Sequence, residues 1–101
     1  MSRIAPLDYE IAQEQASALG RLGRALEAAL MALADHERSM QAELGAVVAP
    51  TRTRLVQHAS EALWRYIVQR EACGLRDPKP VIRDYRVPAE VFNRMGAFVG
   101  R

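Results

Sequence analysis

DYEIAQEQASALGRLGRALEAALMALADHERSMQAELG, from Asp8 to Gly45, is the stretch that decides the fold. Leu19, Leu22, Leu26, Ala29 and Leu33 recur at alternating steps of three and four, with Ala12 before them and Met40 after them on the same seam. That spacing is the signature of an amphipathic helix. A continuous helix of roughly 36 of these residues would be about 54 Å long at about 1.5 Å per residue, whereas a compact domain of this size has a radius of gyration near ~13 Å. Such a rod overhangs a compact monomer. Either it breaks near Asp35-His36-Glu37, where the apolar periodicity thins, or a second copy covers the overhang. Gly20 and Gly23 sharpen the point, because each costs about 1 kcal/mol relative to Ala in a helix interior and so calls for close approach by another helix. The expectation is a homodimer whose seam is Leu19, Leu22, Leu26 and Leu33.

The rest of the chain reads as shorter helices. Asp8 is the expected N-cap of the first helix, after an extended arm from Ser2 to Leu7, and Gly45 its expected end. A second helix is expected over 50–73, opened by Pro50 and Thr51 and closed by Gly74, with Leu75 folding back onto its last turn. Leu55, Ala59, Ala62, Leu63, Tyr66 and Ile67 mark its buried side, which Val56 and Trp64 widen. The short connector between the two helices implies an antiparallel hairpin. Asp77-Pro78-Lys79-Pro80 and Val87-Pro88-Ala89-Glu90 each look like a helix start, giving two short helices over 78–96, the first turning Val81, Ile82 and Tyr85 toward the core and the second running through Val91, Phe92 and Met95 to end at Gly96. The fold class expected is therefore all-α: one domain, a long antiparallel helical hairpin closed by two short C-terminal helices, assembled as a dimeric bundle.

Composition narrows the function by exclusion. Of the 101 residues, 50% are hydrophobic and 26% charged, which is globular rather than disordered. No signal peptide opens the chain and no apolar run approaches the ~18 residues of a membrane span, so cytoplasmic residence is the default expectation. The polar face of the first helix is acidic, which argues against a membrane surface as partner. Cys73 is the single cysteine. It sits near a helix C-terminus, where the dipole disfavours thiolate, and reads as structural. His58 and Glu61 are one turn apart, but the paired Glu-x-x-His motifs of di-iron bundles are missing. Gly20 and Gly23 follow no strand and precede no Walker lysine. No catalytic residue, metal or cofactor is expected, and an enzyme is not the reading.

Charge is divided unevenly. Met1 to Pro50 holds four Arg against seven acids, −3, while Thr51 to Arg101 holds nine Arg and one Lys against five acids, +5. Such a division suits either pairing between the halves or an acidic partner for the basic half.

Two resemblances follow from particular residues. QREACGLRD at 69–77 and YRVPAEVFNRMG at 85–96 resemble small bacterial proteins, chiefly alphaproteobacterial, grouped as a domain of unknown function. That likeness implies a small cytoplasmic helical protein and carries no activity. Val81, Ile82, Tyr85, Val87, Phe92 and Met95 are also spaced as in a helix-turn-helix, although Arg86 stands where that motif has Gly and Ile82 where it has a small residue. The motif implies Arg94 and Asn93 toward the major groove and Lys79, Arg83 and Arg86 on phosphates. The reading is a non-enzymatic protein-interaction or assembly protein that homodimerises through its first helix, with an unidentified protein partner also open. The alternative is a small DNA-binding regulator.

Overall fold

The computed structural model describes the backbone of residues 6–42 and 49–99 and the side chains of residues 7–40 and 51–96. It is all-α. Four helices follow in order: α1 (Pro6–Ala42), α2 (Ala49–Ala72), α3 (Lys79–Asp84) and α4 (Ala89–Val99). There is no strand among the described residues.

Helix α1 passes through Asp35-His36-Glu37 without a break. Its 37 residues make the molecule 65 Å long but only 27 × 20 Å in section, with a radius of gyration of 16.9 Å. The helix begins at Pro6, earlier than the Asp8 cap expected from the sequence. Pro has no N–H to lose at a first helical position, and Asp8 then sits in the first turn, where its charge complements the dipole. The expected end at Gly45 lies outside the described residues.

α1 and α4 both pack on α2 rather than on each other. The core joins Leu26, Ala29 and Leu33 of α1, Val56, Ala59, Ala62, Leu63 and Tyr66 of α2, and Val81, Val87, Val91 and Met95 from the C-terminal part. Leu26, Leu63 and Val91 are fully buried. Each such aliphatic side chain contributes about 1.5–3 kcal/mol on leaving water. Ser60, also fully buried, donates its hydroxyl to the Val56 carbonyl at 2.7 Å and lies 3.1 Å from that of Val91. It is a polar peg between α2 and α4 with no unsatisfied atom.

Gly74 ends α2 as expected. Its φ of +88° is left-handed, its N–H donates to the Glu71 carbonyl, and Leu75 N–H reaches back to that of Arg70 at 2.8 Å. These are the two bonds of a Schellman cap. The Leu75 side chain, expected to fold back, is instead 46% exposed. The Asp77 carboxylate accepts the Lys79 N–H at 3.0 Å and so steadies the start of α3. Gly96 does not stop α4, which continues to Val99. No described atom crowds that glycine, and a single helix-interior Gly costs only about 1 kcal/mol.

Candidate functional site

The four leucines expected at a dimer seam are placed by the structure inside one chain. Leu26 and Leu33 are buried, and Leu19 and Leu22 pack half-buried against the same core. The seam is taken by α2, so any second copy must use another face of α1. Trp64, expected to widen the buried side of α2, lies exposed on its outside, while Tyr66 is buried and Ile67 half-buried.

Three surface features remain once the core is assigned. The first is the N-terminal end of α1. Every residue from Leu7 to Ser17 is exposed, so about 17 Å of helix projects past the hairpin. Leu7 (65%), Tyr9 (61%) and Ile11 (49%) are large apolar side chains left in water there. The same segment carries Asp8, Glu10 and Glu14 and no basic residue.

The second feature is a groove of about 1150 Å³ between the C-terminal half of α1 and the α3–α4 turn. Leu30, Met31 and Ala34 line one wall, and Tyr85, Arg86 and Pro88 the other. At its end, Arg52 from the first turn of α2 joins α1 to α4. Its Nε donates to Glu37 at 2.7 Å, while Nη1 and Nη2 grip both oxygens of Glu90 at 2.8 and 2.7 Å. The Arg52 hydrogen bond holds the Glu90 carboxyl below the usual carboxylate range, and the two carboxylates push the guanidinium pKa up. Sequence reasoning missed this triad, whose members are 15 and 38 positions from Arg52. Being half-exposed, it is worth about 1 kcal/mol. Arg52→Ala is therefore expected to lower stability by about that much at pH 7. Because Glu90 is depressed, the gain exists above the carboxylate's ordinary pKa and disappears as pH falls through the lower folded value. Chemical denaturation of both forms at pH 7 and below about pH 4 checks this, with the gap closing in acid.

At the other end of the groove Tyr85 meets Tyr66 edge-on, with ring centroids 5.5 Å apart, and Arg70 stacks 5.9 Å over the Tyr66 ring. Burial, with the neighbouring Tyr66 hydroxyl, pushes the Tyr85 phenol up to about 12. This pair explains Gly23. A Cβ there would lie 2.7 Å from the Tyr85 hydroxyl and 3.3 Å from Tyr66 Cε1. The close approach that the sequence implied is made by a tyrosine rather than by a helix.

The third feature is the C-terminal basic group. Lys79, Arg83, Arg86 and Arg94 are all exposed, as is Asn93. Arg83 is engaged by Asp84 at 2.9 Å, which raises its pKa further. Arg86 has φ of +52°, so the position where a helix-turn-helix carries Gly does adopt the left-handed turn. α3, however, is only six residues long.

Cys73 is half-buried and touched by the Gln69 amide at 3.8 Å. Among the described residues no group of three His, Cys, Asp or Glu could hold a metal ion, and no helix is long and apolar enough to cross a membrane.

A projecting helix end, an open groove and a basic turn on a four-helix frame define a small all-α protein whose distinctive chemistry lies on its surface. The chain belongs to the family of unknown function DUF6665, whose model matches residues 2–101 and so spans both segments singled out in the sequence. No curated protein and no solved structure matches it.

Proposed function

We propose that this is a non-enzymatic assembly protein that homodimerises through α1. The observation that supports it is the projecting end of that helix. A 37-residue helix is far longer than its own chain covers, and the uncovered part carries Leu7, Tyr9 and Ile11 in water. Isolated helical ends of this kind gain little from propensity alone, and packing of an apolar face against a partner is what stabilises them. Tyr9 is 61% exposed and clear of the core, so one substitution there tests the reading. Tyr9→Glu is expected to retain helicity and thermal unfolding of the hairpin while its weight-average mass in sedimentation falls to that of a single chain.

The second reading, a DNA-binding regulator, has the left-handed turn at Arg86 in its favour. Duplex DNA binding that weakens steeply with salt and is lost in Arg83→Ala or Arg94→Ala would replace the assembly reading. Under the assembly reading, labelled duplex stays free even at low salt.

A further inference from the structure

Gly20 and Gly23 pose the same question and only one of them is answered within the chain. Gly23 makes room for Tyr85. At Gly20 the single atom of the described residues within 4 Å of an added Cβ is Nη1 of Arg24, at 3.3 Å, the far end of a surface side chain. A helix-interior glycine is destabilising relative to alanine, and nothing that the described residues pack against Gly20 requires one.

At about 100° per residue, Tyr9, Gln13, Ala16, Gly20, Glu27 and Met31 fall within about 60° of one another, on a flank of α1 that borders Tyr66 and Tyr85 and is turned from Leu26, Ala29 and Leu33. Gly20 is the midpoint: Tyr9 and Met31 each stand 11 positions from it, Gln13 and Glu27 seven, and Ala16 and Arg24 four. Tyr9 and Met31 are the two large exposed apolar side chains on that face, at 61% and 57%. Beside it runs a shallow groove of about 350 Å³, floored by Gly20, Gly23, Tyr66 and Tyr85, which opens past Glu27 toward the larger one beside Met31.

Resting on the assembly reading, we propose that two copies pair antiparallel along this face of α1 about a two-fold axis that passes at Gly20. A two-fold contact is isologous: whatever one copy offers at a given distance before the axis must suit what it offers at the same distance after it. Tyr9 then lies on the partner's Met31, a favourable sulfur–aromatic contact, and Gln13 donates to the carboxylate of the partner's Glu27. The two backbones meet where neither has a side chain. The contact from Tyr9 to Met31 is about 33 Å long, twice what the overhang alone offers. Charge selects the direction. Parallel pairing would set the three acids of the overhang against the same three of the other copy, whereas antiparallel pairing lays them along the partner's residues 23–33, where the partner's Arg24 and the partner's Arg86 stand with one α1 carboxylate, the partner's Glu27.

The test is cysteine cross-linking of the full chain in a Cys73→Ser background, with mass measured in parallel. Mild oxidation of Gly20→Cys is expected to give a covalent dimer, as is a mixture of Tyr9→Cys with Met31→Cys, while Tyr9→Cys alone stays single. A disulfide needs Cα atoms about 4.4–6.8 Å apart, which only a crossing at that point allows for residue 20. Gly20→Leu is expected to raise the dimer dissociation constant roughly tenfold or more while the helix melts no earlier than in the unaltered chain. A dimer that cross-links through Tyr9→Cys alone, or tolerates Gly20→Leu, overturns the antiparallel register and leaves the assembly reading standing. A single-chain mass throughout overturns both.

Discussion

Leu26→Asp is expected to leave the chain unfolded. Leu26 is wholly inaccessible to solvent and lies at the centre of the cluster that includes Ala59 and Leu63 of α2. The described residues offer that position no cation, so the new carboxylate would be buried without a partner, at a cost of about 3–5 kcal/mol. Loss of the leucine's own burial adds about 2 kcal/mol more. Domains of this size have about 5–15 kcal/mol in hand, so the sum rivals the whole. Far-UV circular dichroism should show the helical signal and the cooperative melt both gone. Ala28→Asp, two positions along on the exposed side, is the control and should melt nearly as the original does. Native helicity in Leu26→Asp would mean that α2 does not pack where it is placed.

Leu63→Ala carries the second largest effect, and it tests the middle of the stack. Leu63 is fully buried on α2, the helix that both α1 and α4 pack against, so truncation opens a cavity facing two neighbours. Such substitutions cost about 2–5 kcal/mol, toward the upper end where the surroundings cannot collapse. Urea unfolding should show a lower midpoint with unchanged slope. A loss of less than about 1 kcal/mol would show that the site relaxes and that α2 is not the shared wall.

How much of this was legible in the sequence depends on the range of the interaction. The three-four repeat from Leu19 to Leu33 announces α1 because helical periodicity is local, and the mismatch between helix length and domain size foretells the overhang. Gly74 announces the end of α2 because the left-handed cap is a property of one residue. Helix ends set by a weak preference were misread: Gly96 permits α4 to continue, and Pro6 starts α1 before Asp8. Trp64, adjacent to buried Leu63, is turned about 100° from it and so falls outside, which size alone does not reveal. The Arg52 triad and the Tyr66–Tyr85 contact join residues far apart in the chain, and no spacing rule reaches them. Leu19, Leu22, Leu26 and Leu33 are expected from spacing alone to form an oligomer interface, whereas the structure packs them in or against the core that α1 shares with α2.

That last point shifts the burden of assembly to the face around Gly20. Among the described residues Gly23 has Tyr85 to justify it and Gly20 has only the end of Arg24, which makes Gly20 a feature of the proposed pair of molecules. That pairing also gives the acidic overhang a destination. Beyond the family to which the chain belongs, the assembly reading stands on these surface features alone, which makes it directly open to contradiction.

The measurement that bears most directly on it is the mass of the unaltered full-length chain by sedimentation equilibrium over a wide range of protein concentration at moderate salt. Homodimerisation through α1 predicts twice the 11.3 kDa chain mass, falling toward a single chain on dilution. A mass of one chain at every concentration would contradict the account.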